Sequence, residues 1–128
     1  MLRSVGAILA GFVVATIVVM AGTLVAVAAM LPAVGPGQMP EPTTAYLAVN
    51  LGYSLLAAFV GGEVAVRLAR RAPVGHGMGL GLLLLVLGIG MAATTSDGTQ
   101  GNQPGWYLYV VAILGWVGAS AAGLRRRG

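Results

Sequence analysis

Apolar residues are gathered into four long runs, and short polar segments separate them. The first run, residues 5–31, contains no charged residue. At about 1.5 Å per residue, a helix of that length exceeds the hydrocarbon core of a bilayer, which is about 30 Å thick. A signal-peptide core is usually about 7–15 residues long, so we expect this run to remain as an uncleaved helix. The pattern predicts an all-α membrane protein with one domain, residues 1–128, and four transmembrane helices at residues 5–31, 45–71, 77–95 and 105–124.

The segments between the runs are rich in residues that form turns. Residues 32–44 hold four prolines, and proline lacks the N–H that a helix interior needs, so we expect an extended loop. Thr44 is then a suitable N-cap for the second helix. Residues 72–76 form a tight connection in which we expect Pro73 to stop the second helix. Residues 96–105 are polar and glycine-rich, which indicates another loop.

The composition indicates that lipid is the main solvent of the chain. Only 8% of the 128 residues are charged, 58% are hydrophobic, and the mean hydropathy is +0.91. Soluble domains carry about 25% charged residues, and so few charges cannot cover a surface that faces water. The chain has no cysteine, which excludes disulfides and thiolate metal sites.

The charged residues predict how the helices cross the membrane. All seven basic residues are arginines, and they cluster at the N-terminus, between the second and third runs, and at the C-terminus. With four spans these clusters share one side, which the positive-inside rule makes the cytoplasm. Glu41 and Asp97 lie in the segments on the other side. We expect an up-down bundle with both termini cytoplasmic, and because the arginines flank apolar runs we expect no nucleic-acid binding.

Small residues recur three or four positions apart in the last three runs. Such a series lets another helix approach closely, and close packing must hold membrane helices together because lipid is as apolar as leucine. The pattern therefore predicts helix association through these faces. The candidate packing residues are Ala57, Gly61, Ala65, Gly77, Gly81, Gly88, Ala92, Gly115, Ala119 and Gly123.

Glu63 is the only acidic residue inside a predicted span, and an ionisable group there is a functional candidate. Counted from Tyr46, it lies about 26 Å along a helix that needs about 30 Å, so it is near one membrane surface. Arg67 follows four residues later, which is the favourable order for a pair on a helix face. We expect an interfacial ion pair whose side chains reach water. A proton- or cation-coupling carboxylate and a contact to a partner subunit are the alternatives.

Uncharged polar residues also lie within the runs. Asn50, Tyr53 and Ser54 are close together in the second run, where we expect internal hydrogen bonds, with a ligand site as the alternative. Thr16 and Thr23 share a face of the first run. Their hydroxyls are expected to bond back to the carbonyls of their own helix, with a polar contact to a neighbour as the alternative.

The other side chains offer little chemistry. His76 is the only histidine, and membrane histidines can ligate haem or pigments. One histidine beside a turn, without a second metal-ligand candidate, is more typical of an interfacial residue, so we predict no metal, pigment or haem. No serine lies near a base and no carboxylate pair is present, so we predict neither catalytic residues nor an enzyme. Bound lipid is the expected small-molecule component.

Two segments resemble parts of small bacterial proteins with four membrane spans. Residues 61–69, GGEVAVRLA, are similar to the GG-x-x-A-x-R-[LI]-A end of the second helix in those proteins, and residues 104–107, PGWY, resemble the start of their last span. Most of those proteins carry no assigned function, so the resemblance implies architecture and no activity.

Two functions are consistent with these features. The first is a structural or accessory protein of the bacterial inner membrane, acting by helix packing as a homo-oligomer or as a subunit of a larger complex, for example a respiratory or photosynthetic one. The alternative is a small transporter or a module that binds lipid or another hydrophobic ligand, using Glu63 together with Asn50 and Tyr53.

Overall fold

A computed structural model describes residues 1–38, 41–94 and 105–126. All regular secondary structure in this part of the chain is helical: α1 spans Leu2–Met30, α2 Thr44–Ala69, α3 Pro73–Thr94 and α4 Tyr107–Arg125. Each helix is long and apolar enough to cross a membrane. The prediction of an all-α chain with four candidate membrane spans is confirmed. Asp97 and most of the predicted loop at 96–105 lie outside the described residues.

The connection between α2 and α3 differs from the prediction. Pro73 does not stop α2, which ends at Ala69; it begins α3, whose start lies at Pro73 rather than at residue 77. Proline is well suited to the first position of a helix, because the N–H that it lacks would have no intrahelical partner there. The chain reverses through residues 70–72, where Arg70 and Ala72 have left-handed backbones with φ of 57° and 46°.

The start of α2 is capped one residue earlier than predicted. Thr43, rather than Thr44, is the N-cap, and its Oγ1 accepts a hydrogen bond from the Tyr46 N–H at 3.2 Å. Thr43 has an extended backbone, as is usual for a residue that caps a helix from outside. Thr44 is the first residue of the helix.

The second helix, α2, is the centre of the fold. Its backbone lies close to all three other helices, whereas the backbones of α1 and α4 do not come close to each other in the described part of the chain. The contact with α1 is made by backbone, since a Cβ added to Gly11 would lie 2.5 Å from the Gly61 carbonyl oxygen, and one added to Gly61 would lie 2.5 Å from the Gly11 oxygen. Further along α1, Gly22 meets the Tyr53 ring. Residue numbers therefore increase along α1 in the direction in which they decrease along α2.

Small residues also form the surfaces through which α4 contacts α2 and α3. Gly62 on α2 meets Ala119 and Ala122 of α4, and Gly77 on α3 meets Ala119 and Gly123. The side chain of Ala119 is therefore fully buried. Because neither side of these contacts carries a bulky group, the helices approach closely enough for dispersion to hold them together in lipid.

The predicted small-residue faces are used inside one chain. Gly81 lies against Trp116, Gly88 against Ala112, and Gly115 against the Leu84 side chain. Four alanines of the predicted set are buried: Ala57, Ala65, Ala92 and Ala119. The structure thus places all ten positions at contacts within the chain or in its buried interior.

Candidate functional site

The only described charged side chain that is buried belongs to Glu63, which is 8% exposed. It follows Gly61 and Gly62, and those two glycines let α1 and α4 approach α2 closely. The approach of α4 at Gly62 brings the C-terminal turn of α4 beside the carboxylate. Glu63 therefore lies in an interior that two neighbouring glycines create.

Three arginines surround this carboxylate. Arg126 donates two hydrogen bonds to Oε2, from Nε at 3.2 Å and from Nη2 at 3.0 Å. Arg67 Nε lies 3.5 Å from Oε2, and Arg125 Nη1 lies 3.7 Å from Oε1. The Glu63 side chain is 10% exposed, whereas the Arg67 and Arg125 side chains are 66% and 69% exposed. The cluster is thus a buried anion held by cations that extend toward the surface.

This arrangement is more extensive than the predicted interfacial pair. Sequence reasoning paired Glu63 with Arg67, which lies on the same helix face, but the two hydrogen bonds come from Arg126, the residue that directly follows α4. A carboxylate out of water is costly unless charges and hydrogen bonds compensate it. Three guanidinium groups supply the charge, but only Arg126 supplies hydrogen bonds, both to Oε2, and Oε1 has no hydrogen-bond partner among the described residues. Local spacing cannot indicate Arg126, because the contact depends on how α4 packs against α2.

A second polar cluster lies between α1 and α2. The Tyr53 hydroxyl hydrogen-bonds to Thr23 Oγ1 at 2.8 Å and accepts from Asn50 Nδ2. Ser54 Oγ in turn donates to Asn50 Oδ1 at 3.3 Å. The structure therefore brings together Asn50, Tyr53 and Ser54, which the sequence grouped, and adds Thr23. We call these four residues and Tyr46, whose hydroxyl lies 3.5 Å from Asn50 Nδ2, the tyrosine cluster.

The expectation for the two threonines of α1 is correct for one of them. Thr16 Oγ1 donates to the Phe12 carbonyl at 2.9 Å, as predicted. Thr23 instead bonds to Tyr53, because Gly22 lets the tyrosine ring lie directly against α1. Thr23 therefore makes the alternative contact, to a neighbouring helix, and Tyr46 is the residue of this cluster that the sequence did not group with the others.

Tyr107 of α4 packs in the same hydrophobic group as Tyr46 and Tyr53. It is 2% exposed, and its hydroxyl makes no hydrogen bond among the described residues. Its neighbour Trp106 is exposed and contacts it edge to face, with ring centroids 6.1 Å apart. A buried hydroxyl without a partner is uncommon, which makes Tyr107 the unsatisfied member of this region.

The two clusters are separate. Asn50 and Glu63 lie on the same helix thirteen residues apart, which corresponds to about 20 Å along its axis. A single site that combines Glu63 with Asn50 and Tyr53 is therefore not formed. The structure provides a charged cluster near one end of α2 and an uncharged cluster near the other.

His76 lies in the first turns of α3. Its Nδ1 donates to the Ala72 carbonyl at 3.0 Å, and its side chain lines a cavity with Arg3, Arg70 and Arg71. Within the described ranges, no three His, Cys, Asp or Glu residues come together in a way that could hold a metal ion.

Comparison with known proteins adds no assignment to this geometry. No family model matches the chain, and no curated protein or solved structure is significantly similar to it. The four helices and their two polar clusters are therefore the features that bear on function.

Proposed function

We propose that the chain is a multi-pass protein of the bacterial inner membrane, with four spans in up-down order and both termini in the cytoplasm. The distribution of charge supports this orientation. Arg67, Arg125 and Arg126 meet at Glu63, and the remaining described arginines line one cavity beside the end of α2. Arginines gathered at one end of apolar helices favour the cytoplasmic side for that end. The use of arginine alone, with abundant alanine, glycine and valine, favours a bacterial origin.

Within that membrane we propose a structural or accessory role, either as a homo-oligomer or as a subunit of a larger complex such as a respiratory or photosynthetic one. The free face of α1 carries this proposal. In the described part of the chain, α1 has close backbone contacts with α2 and α3 alone, and its other face presents large apolar side chains three or four positions apart. This α1 ridge consists of Leu9, Val13, Ile17, Met20 and Leu24.

The α1 ridge is suited to packing against another helix. Side chains at such spacing form the rows that fit into the grooves of a neighbouring helix. The interior faces of α2 and α4 are already occupied by contacts within the chain, and α1 is the least buried of the four described helices, with 11% of its most apolar stretch buried. A second copy of the chain or another membrane subunit would lie along it.

Cysteine crosslinking in native membranes tests the proposal, because the chain has no cysteine of its own. Ile17→Cys and Val86→Cys are a matched pair, since both positions are 60% exposed and lie on different helices. We expect Ile17→Cys to give a crosslinked dimer or an adduct with a partner subunit, and Val86→Cys to give neither. A chain that stays monomeric with both variants, and that extracts from its membrane without a partner in native mass spectrometry, would contradict the accessory role.

The alternative function is a small transporter or a ligand-binding module. The observation that favours it is the unpartnered hydroxyl of Tyr107 beside the tyrosine cluster, where a ligand with a polar group and an apolar body would find both kinds of contact. Because Glu63 is distant from Asn50, this alternative no longer uses one combined site. A small molecule that copurifies with the chain and is lost in Tyr107→Phe would support it. Unchanged uptake or binding in both Tyr107→Phe and Glu63→Gln would remove it.

A further inference from the structure

A cavity of about 450 Å³ lies where the start of α1, the end of α2 and the start of α3 meet. It is distinct from the Glu63 cluster and from the tyrosine cluster. We call it the arginine cavity, and its lining residues are Arg3, Ser4, Ala69, Arg70, Arg71 and His76.

The arginine cavity carries positive charge without compensation from the described residues. The arginines that surround Glu63 are already paired. Arg3, Arg70 and Arg71 have no carboxylate partner in the described part of the chain, and no acidic residue lines the cavity. Three cations, one from the start of α1 and two from the turn between α2 and α3, form an environment that favours an anion.

The turn before α3 brings two of these arginines to the cavity. Arg70 and Ala72 both adopt left-handed backbones, which cost non-glycine residues free energy and are found where surrounding structure or function maintains them. The turn also supports His76, because Nδ1 donates to the Ala72 carbonyl at 3.0 Å. The other ring nitrogen, Nε2, has no partner among the described residues.

We propose that the arginine cavity binds the phosphate headgroup of an anionic membrane lipid; this inference rests on the proposed membrane location. Guanidinium groups match phosphate oxygens in charge and geometry, and basic pockets between helices at a cytoplasmic surface bind lipid headgroups. The surroundings fit the rest of a lipid. Leu2, Val5 and Leu68 are close in sequence to the cavity arginines and are exposed, so they present apolar surface to acyl chains.

The test uses the full chain in nanodiscs made of equal parts phosphatidylglycerol and phosphatidylcholine with the same acyl chains. Native mass spectrometry then measures which lipid stays bound. We expect the wild type to retain phosphatidylglycerol preferentially. The preference should fall about 25-fold in the double variant R70Q/R71Q, since one basic residue near a membrane surface contributes about fivefold. The matched control R67Q/R125Q also removes two positive charges near the C-terminal end of α2, but outside the arginine cavity. This variant should keep the preference for phosphatidylglycerol.

A further variant and a competing anion distinguish the possible outcomes. If R70Q/R71Q loses helicity, R3Q replaces it, because Arg3 is exposed in the first turn of α1, and a loss of about fivefold is expected. Equal retention of both lipids by the wild type, or an equal loss in R67Q/R125Q, would overturn the site. Displacement of the lipid by excess inorganic phosphate would overturn the lipid assignment in favour of a soluble anion. Failure of the chain to enter nanodiscs would instead contradict the proposed membrane location.

Discussion

Arg126 donates two hydrogen bonds to one carboxylate oxygen of Glu63, across 63 positions of sequence, and so ties the end of α4 to α2. The Arg126 side chain is 42% exposed while that of Glu63 is 10% exposed, so the arginine spans from the interior to the surface. Arg125 beside it lies over the Phe59 ring at 6.0 Å from the centroid. Arg125, the last residue of α4, and Arg126, its C-cap, therefore both fix the end of α4 against α2.

We predict that Glu63→Gln destabilises the fold by about 1–3 kcal/mol. The substitution keeps the side-chain volume but removes the charge that hydrogen-bonds to Arg126, and hydrogen bonds to charged groups contribute about this amount. Unfolding with increasing fractions of denaturing detergent, followed by circular dichroism, measures the loss.

Arg67→Gln is the control for this variant. Arg67 is largely exposed and makes only a 3.5 Å ion pair, and exposed ion pairs contribute about 0–1 kcal/mol. If Arg67→Gln lowers the free energy of unfolding as much as Glu63→Gln does, the hydrogen bonds from Arg126 to Glu63 stabilise the fold no more than an exposed ion pair.

We predict that alanine at two glycines of α2 changes the stability of the fold differently. A Cβ at Gly61 would lie 2.5 Å from the Gly11 carbonyl oxygen and 2.8 Å from the Ala15 Cβ, whereas one at Gly52 would meet nothing within 4 Å. Gly61→Ala must push α1 away and should cost about 1–3 kcal/mol. Gly52→Ala should be neutral or stabilising by up to about 1 kcal/mol, because alanine is the better helix former. The same detergent titration measures both, and equal effects would contradict the backbone contact.

We also predict that removing two tyrosine hydroxyls has different consequences. Tyr53→Phe breaks the bonds to Thr23 and Asn50 and should cost about 0.5–1.5 kcal/mol. Tyr107→Phe removes a buried hydroxyl that has no partner in the described chain, and should be neutral or stabilising by about 0–2 kcal/mol. Thermal unfolding in detergent compares them. A clear loss of stability in Tyr107→Phe would show that its hydroxyl has a partner, as a bound ligand requires.

The proposed orientation predicts the activity of reporter fusions. A reporter active only outside the cytoplasm should work when inserted within residues 32–38 or in the 96–105 segment, and a cytoplasm-only reporter should work at the C-terminus. The physical reason is the cost of moving arginine clusters across the bilayer. Activity of the cytoplasm-only reporter at either loop would rule the orientation out.

Sequence reasoning was most reliable where one segment decides its own structure. Residues 5–31 carry no charge, and a segment in lipid must satisfy its own backbone hydrogen bonds, which a helix does; Leu2–Met30 is helical. It was less reliable at boundaries. Pro73 is compatible both with stopping one helix and with starting the next, and the turn before it uses left-handed backbones at Arg70 and Ala72, where the residue types give no indication.

The sequence by itself determined four apolar helices with arginines at their ends, because hydropathy and the position of charges are properties of each segment alone. Only the tertiary structure decided that Glu63 bonds to Arg126, that Thr23 bonds to Tyr53, and that Arg3 shares a cavity with two arginines of the α2–α3 turn. Each of these contacts depends on which helix faces meet and on how far the helices are shifted along their axes. In lipid, close packing between segments that are distant in sequence decides both.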